Sequence, residues 1–154
     1  MIELMNKLPL EIFAIYFSPY SAHAIEVDSV VYPTVEHAYQ CQRYTDVNII
    51  EEIRGARSPM KAWQVSSKYK SVQVPEFKND EHKLAVMKRL MKIKVEQHDE
   101  VRKALLESGD LKIVKHITTY PPGDGFWDDG EDGKGLNHTG RMWMEIRDEL
   151  VAGQ

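Results

Sequence analysis

The sequence has few of the features that define secreted and membrane proteins. Its 154 residues include one cysteine, Cys41, so no disulfide can form within the chain, and a reducing compartment suits it. No apolar run approaches the roughly 18 residues that a membrane helix needs. The opening stretch, residues 1–17, lacks a basic segment followed by a small-residue cleavage site, so we expect no signal peptide. These absences predict a cytoplasmic protein with no membrane partner.

The sequence also lacks an excess of basic residues. The chain has 20 Lys and Arg residues against 24 Asp and Glu residues, and its formal net charge is -4. General nucleic-acid binders are usually basic, so we expect no broad nucleic-acid surface, although a local basic pocket is still allowed. The six histidines show neither an HExxH motif nor another paired-ligand spacing. The sequence therefore predicts no metal site and no cofactor.

The apolar pattern predicts one helix-rich α+β domain over residues 1–154, with a small β-sheet or hairpin. Thr34 and Ser58 stand where helix N-caps are expected, and Asp28-Ser29 separates two β-branched runs. The predicted strands are residues 11–17, a hairpin over 24–33, and residues 111–117. The predicted helices are 34–44, 48–55, one that follows Ser58, 79–107 (as one helix or as two with a break near 97–98), and 140–150. Residues 67–77 and 120–137 are predicted as loops.

The stretch TVEHAYQCQRY, residues 34–44, carries many hydrogen-bonding side chains for a short helix. Glu36 would be the second helical residue, where the helix dipole favours a negative charge by about 0.3–1 kcal/mol. An ionised Glu36 could act as a general base or stabilise positive charge, or it could simply complement the dipole. Helical spacing places Gln40 and Arg43 on the face of Glu36, and His37 on an overlapping one. This face predicts either a ligand pocket or a solvated polar surface.

The second unusual stretch is GDGFWDDGEDGKGLNHTGR, residues 123–141, in which five acids alternate with glycines. Glycines let the backbone approach a ligand, and Lys134 between Gly133 and Gly135, with a helix following, suits an anion. Trp127 offers a flat surface for a base. The acids would repel a bare phosphate unless they point to solvent. Oxygen ligands with glycine also suit calcium, although the spacing differs from that of an EF-hand.

Together these stretches resemble the NADAR family, also called YbiA-like, over residues 16–150. The family's hairpin-to-helix signature is similar to IEVDSVVYPTVEHAYQCQRY, and EEIRGARSPMKA and KVEQHDEVRKALLES are similar to two later segments. DGFWDDGEDGKGLNHTGR resembles the family's D-x-x-W-G-x-G-x-x-G-x-G-x-N-x-x-G ending. The departures are Asp128 in place of a glycine, Ser66-Ser67 in place of Gly-Arg, and Pro19 in FSPY, where the family has LSNF.

The resemblance implies a YbiA-like fold and N-glycosidase chemistry, the hydrolysis of the C1′–N bond of a ribosyl compound. Two substrate classes are associated with the family. One is the phosphorylated ribosylamino-pyrimidine intermediates of riboflavin synthesis, and the other is ADP-ribose linked to guanine in nucleic acid. The expected partner is therefore a phosphorylated ribosyl small molecule or an ADP-ribosylated nucleobase.

The resemblance also implies roles for residues. We predict that Glu36 stabilises the oxocarbenium-like transition state and directs water, and that Asp124 orients ribose hydroxyls or aids the leaving group. The predicted substrate-binding residues are His37, Gln40, Arg43, Trp127, Gly133, Lys134, Gly135 and Asn137. The first alternative is a non-catalytic module that binds ADP-ribose or a nucleotide. A structural or partner-binding protein is the second.

Overall fold

The computed structural model describes residues 12–154, which divide into two compact units. Residues 18–99 form one, here named the middle unit. The other, the terminal unit, consists of residues 12–17 and 100–154. Helices dominate and a two-stranded antiparallel sheet accompanies them, so the predicted α+β class is confirmed. The single domain over residues 1–154 stays a prediction.

The middle unit contains a hairpin and four helices. Its elements are β1 Ile25–Val27, β2 Val30–Tyr32, α1 Val35–Cys41, α2 Val47–Arg54, α3 Pro59–Lys68 and α4 Asp80–Gln97, with 3₁₀ turns at Lys70–Val72 and Pro75–Lys78. The hairpin is the predicted one. Asp28 and Ser29 both have positive φ, 49° and 68°, which matches a two-residue turn between twisted antiparallel strands.

Helix α1 is the buried helix of the middle unit. It packs against α2, α3 and α4, and all seven of its residues are buried. Its polar side chains therefore need partners within the protein, because an unpaired buried polar group costs free energy. The short helix can carry a buried polar face because its neighbours supply those partners.

The two predicted N-caps of the middle unit, Thr34 and Ser58, are confirmed. The Thr34 side chain accepts a hydrogen bond from the His37 backbone N–H, and Ser58 caps α3 with Pro59 at the first helical position. The ends differ from the prediction, since α1 stops at Cys41 and α3 continues to Lys68. The last turn of α3 thus extends into residues 67–77, the predicted loop. Lys68 and the Tyr69 hydroxyl both donate to the Glu52 carboxylate of α2 and so hold this turn in place.

The terminal unit contains a π-helical turn at Phe13–Phe17, the helix α5 Asp99–Glu107 from its second residue onward, and the helix α6 His138–Ala152. The helical stretch predicted over residues 79–107 is two helices, because His98 leaves the helical conformation. Residues 120–137 are irregular, as predicted. In the described part of the chain, the helices are too short or too polar to cross a membrane.

The strand predicted over residues 11–17 is wrong for the residues that the structure describes, which exclude Glu11. Phe13–Phe17 is a π-helical turn. Phe17 is fully buried, its ring lies 5.3 Å from that of Trp143, and its carbonyl accepts a hydrogen bond from the Trp143 indole N–H. A short apolar run fits a buried turn of helix as well as a strand, so its composition alone could not decide.

The strand predicted over residues 111–117 is also wrong. The Asn137 side chain takes the place of a neighbouring strand, since its Oδ1 accepts from the Lys115 N–H at 2.8 Å and its Nδ2 donates to the Ile113 carbonyl at 2.9 Å. The Lys115 carbonyl accepts from the Asp129 N–H. The extended segment is thus paired by a side-chain amide and a loop instead of a sheet.

Candidate active site

Glu36 is a buried carboxylate in the first turn of α1. It is the second residue of the helix and only 7% exposed. Its Oε1 accepts a hydrogen bond from Gln40 Nε2 at 2.8 Å, one turn along the helix. Its backbone N–H donates to the Pro19 carbonyl at 3.1 Å. The helix start and the Gln40 amide both favour a negative charge here. The predicted placement of Gln40 on the face of Glu36 is confirmed.

Tyr20 lies near enough to this carboxylate for the Glu36 charge to act on its phenol. It follows Pro19, whose carbonyl holds the start of α1, and its own backbone N–H donates to Ser18 Oγ at 3.1 Å. Burial, and then the charge of Glu36, raise the pKa of the Tyr20 phenol above its ordinary value. The phenol is therefore neutral at physiological pH and remains a hydrogen-bond donor.

Lys94 anchors the segment that carries Tyr20. Its ammonium group is buried, donates to the Ser18 carbonyl at 3.0 Å and lies 2.6 Å from Ser21 Oγ, which is in turn 2.8 Å from His23 Nδ1. Burial lowers the pKa of Lys94 to about 7. Lys94 is the first residue of KVEQHDEVRKALLES, and the resemblance of that stretch to the family does not indicate its burial. A lysine at the helical spacing of the buried Leu90 and Met91 was the signal that could have shown its burial.

His37 fixes the start of α1. It is 1% exposed, and its ring nitrogens lie 2.8 Å from Thr34 Oγ1 and 2.9 Å from the Ala56 carbonyl oxygen. Because a carbonyl only accepts, Nε2 carries the proton, and in the neutral ring Nδ1 accepts from the Thr34 hydroxyl. This geometry gives His37 a structural role, and its contact with substrate stays a prediction.

Arg43 lies between two aromatic rings. Its guanidinium carbon is 5.0 Å from the ring centroids of both Tyr39 and Phe77. Nη1 donates to Gln73 Oε1 at 2.9 Å and Nη2 to the Tyr39 hydroxyl at 3.2 Å. Sequence spacing placed Arg43 on the face of Glu36, but these hydrogen bonds direct it to Tyr39 and Gln73. A substrate contact by Arg43 also stays a prediction.

In the terminal unit, the glycine-rich loop is organised by its own acids. The Asp128 carboxylate is 3% exposed and accepts from the backbone N–H groups of Gly125 and Gly130. Asp124 and Asp132 accept in the same way from residues two positions further on. Asp129 pairs with His116 Nδ1 at 2.6 Å. The recurrence of acids and glycines therefore has a structural explanation in the loop itself.

The backbone N–H groups of the predicted phosphate cradle donate to oxygen atoms of the loop itself. Gly133 and Gly135 donate to the carbonyls of Gly130 and Asp129, and the Lys134 N–H donates to Asp132 Oδ1. Lys134 is exposed to solvent. Because these backbone N–H groups are already bonded within the loop, an anion near Gly133 or Gly135 would have to be bound by other groups. The phosphate cradle stays a prediction.

The other predicted residues of this loop differ in exposure. Asp124 is exposed and Trp127 is half-buried, with its ring 4.9 Å from that of Phe126. Asn137 is 6% exposed, and both ends of its amide are used by the 113–115 backbone. Asp124 and Trp127 can therefore meet a ligand from solvent, whereas the Asn137 amide is already paired.

The terminal unit also has a cavity of about 490 Å³ between this loop and α6. Asp129, Gly133, Gly135 and Asn137 line it from the loop, and Arg141 and Met144 line it from α6. Within residues 12–154, no three His, Cys, Asp or Glu side chains gather as metal ligands.

Comparison with known proteins gives a consistent result. The sequence pattern of the NADAR domain matches residues 11–151. The N-glycosidase YbiA of Escherichia coli (strain K12) is 38% identical over 136 residues, which are 88% of this chain and 81% of that protein. A riboflavin biosynthesis protein of Vibrio vulnificus is 32% identical over 127 residues, 82% of this chain and 33% of that protein. The NMR structure of the E. coli protein YbiA aligns with a TM-score of 0.78 at 35% identity, covering 89% of this chain and 78% of that one. The predicted resemblance is confirmed.

Proposed function

This chain belongs to the NADAR family, and from that premise we propose that it is an N-glycosidase, a hydrolase of the C1′–N bond of ribosyl compounds. The support from relatives is the name N-glycosidase, carried by the E. coli protein that matches most of this chain. The structural observation that carries the proposal is the buried Glu36 carboxylate, which is held by the Gln40 amide.

A buried carboxylate suits the cleavage of a glycosidic C–N bond. As the bond breaks, positive charge develops at C1′ and on the ring oxygen of the ribose. A fixed negative charge in a site with little water stabilises that cation more strongly than it would in bulk solvent. Water then adds to C1′, and the proton that it loses balances the proton that the departing nitrogen gains. Glu36 is the proposed group for stabilising the cation and directing the water.

Gln40 keeps Glu36 in one orientation. Its amide donates to Oε1 from one turn further along α1, and both residues are buried. Because α1 is packed by α2, α3 and α4, the carboxylate is held before substrate arrives. The roles predicted for Asp124, Trp127 and the other loop residues stay predictions.

The proposed substrates are the two classes implied by the family. The name of the Vibrio relative favours a phosphorylated ribosylamino-pyrimidine of riboflavin synthesis. The net charge of -4 disfavours long contacts with a nucleic-acid strand, but an ADP-ribosyl group on guanine could be bound with little of the strand touched. A cytoplasmic location is part of this proposal.

The test is a hydrolysis assay with mass detection of products, on purified wild-type protein and two variants. The substrates are ribosylamino-pyrimidine phosphates and an oligonucleotide with ADP-ribosylated guanine. Glu36→Gln keeps an acceptor for Gln40 but removes the charge, and should lower kcat by about 100-fold or more. Glu81→Gln is the matched control, because Glu81 is an exposed acid in the first turn of α4. It should leave kcat unchanged.

Each outcome has a separate meaning. Glu36-dependent release of ribose 5-phosphate would identify a hydrolase of the small phosphorylated substrates, and release of ADP-ribose a hydrolase of modified guanine. Near-wild-type turnover by a folded Glu36→Gln protein would contradict the role of Glu36. Binding of ADP-ribose without any turnover would favour the non-catalytic module.

A further inference from the structure

The segment that precedes the hairpin is held rigidly against the start of α1. The Pro19 carbonyl accepts from the Glu36 N–H, and the Ser18 carbonyl accepts from the Ser21 N–H and the Lys94 ammonium. Ser18 Oγ accepts from the Tyr20 N–H. The backbone is therefore hydrogen-bonded at Pro19, Tyr20 and Ser21, so the position of Tyr20 relative to the start of α1 is fixed.

Tyr20 is also the accessible member of this group. Glu36 and Gln40 are 7% and 4% exposed, whereas Tyr20 is 37% exposed. Among residues 12–154 its hydroxyl has no hydrogen-bond partner, although the Glu36 charge acts on it. The Pro19–Glu36 backbone bond holds this neutral phenol near a buried carboxylate, and a partly exposed phenol with its donor unused is suited to receive a polar ligand.

We propose that Tyr20 is a substrate-contacting residue of the Glu36 site, and that its hydroxyl donates a hydrogen bond to the 2′-hydroxyl oxygen of the bound ribose. This inference rests on the proposed function, since it takes Glu36 as the group that acts at C1′. The 2′-carbon is bonded directly to C1′, so the 2′-hydroxyl is the ribose hydroxyl nearest to the carboxylate that acts there.

The ionisation state of Tyr20 agrees with this role. Burial and the Glu36 carboxylate both keep the proton on the phenol, as the raised pKa shows. A phenolate would repel Glu36 and could only accept hydrogen bonds. The protonated phenol donates without adding charge, so the negative charge that stabilises C1′ belongs to Glu36 alone in this pair.

The first experiment measures binding, which needs no turnover. The affinities of wild-type protein and of Tyr20→Phe are compared by calorimetry for ribose 5-phosphate and for 2-deoxyribose 5-phosphate. Tyr20→Phe keeps the ring and removes the hydroxyl, and should weaken binding of ribose 5-phosphate by about tenfold, the scale of one hydrogen bond. The variant and the wild type should bind the deoxy sugar equally well.

Tyr69→Phe is the matched control. The Tyr69 hydroxyl belongs to the same unit and donates to the Glu52 carboxylate at 2.8 Å, a pair that joins α2 to the end of α3. Its loss should leave the affinities for both sugars unchanged. A purely structural role for Tyr20 would change the affinities for the two sugars by the same factor.

The second experiment repeats the comparison in the hydrolysis assay with ribosyl and 2′-deoxyribosyl substrates. Tyr20→Phe should lower kcat/KM by about tenfold for the ribosyl substrate and not for the deoxy one. Unchanged affinity and unchanged kcat/KM would overturn the role of Tyr20, as would an equal loss on both sugars. If wild-type protein binds the sugars but hydrolyses nothing, the proposed function fails while the binding comparison still decides the role of Tyr20.

Discussion

Replacing Lys94 with methionine should abolish a rise in stability that the wild-type protein shows between about pH 7.5 and pH 9. Burial lowers the pKa of Lys94 from 10.5 to about 7 in the folded protein. Between these values the unfolded chain binds more protons than the folded one, so the free energy of unfolding increases with pH. Below about pH 7 both states hold the proton, and the cost of burying the charge is present in full.

The expected size follows from the two pKa values. Over this range the contribution of Lys94 changes by about 2 kcal/mol, at 1.36 kcal/mol for each pKa unit. The window lies above the ordinary titration of histidine. Cys41 begins to oppose the trend only at the upper end of this window, because burial raises the pKa of its thiol from 9.0 to about 12 and the unfolded chain loses that proton first.

The measurement is urea unfolding at several pH values for wild-type protein, Lys94→Met and Lys92→Met. Lys92 is exposed on the same helix, so its replacement should keep the wild-type slope. The absolute stability of Lys94→Met at one pH is a poorer guide, because the Ser18 carbonyl and Ser21 hydroxyl lose their partner. A wild-type pH slope in Lys94→Met would show that the buried ammonium is not the source of the dependence.

Three further predictions concern the glycine-rich loop and α6, each checked by urea unfolding. Gly140→Ala should cost at least about 2 kcal/mol, because a Cβ there would overlap the Ile113 carbonyl, while Gly153→Ala at the end of α6 should change little. Asn137→Ala should cost about 1–3 kcal/mol through two lost hydrogen bonds to the 113–115 backbone, and an unchanged midpoint would contradict that pairing. Asp128→Asn should retain more stability than Asp128→Ala, since it keeps an acceptor for two backbone N–H groups.

Local signals in the sequence were enough to predict much of the middle unit. Thr34, Asp28-Ser29 and Ser58-Pro59 each determine a cap or turn through groups within a few residues, so their effects can be read without the fold. The contact between Glu36 and Gln40 is likewise set by helical spacing. These are short-range effects, and their predictions are confirmed.

The features that sequence analysis missed depend on distant partners. The partners of residues 113 and 115 in the extended segment are supplied by Asn137, more than twenty positions along the chain. Lys94 binds a carbonyl 76 positions away at Ser18. Tyr20 is held near Glu36 because the Pro19 carbonyl binds the Glu36 N–H, 17 positions further along the chain. A propensity or a period carries no information on such pairings, because they arise from tertiary packing.

The acids of the glycine-rich loop have a consequence for how the loop meets a ligand. Asp124, Asp128 and Asp132 occupy the backbone N–H groups that an incoming anion would otherwise bind. The carboxylates of the loop thus take the place of a bound anion, and the loop keeps its conformation without phosphate. Much of the conformational entropy that an open glycine loop would lose on binding has already been lost during folding. An anion that reaches these N–H groups has to displace a tethered carboxylate, so this loop selects against simple anions that offer nothing more than charge.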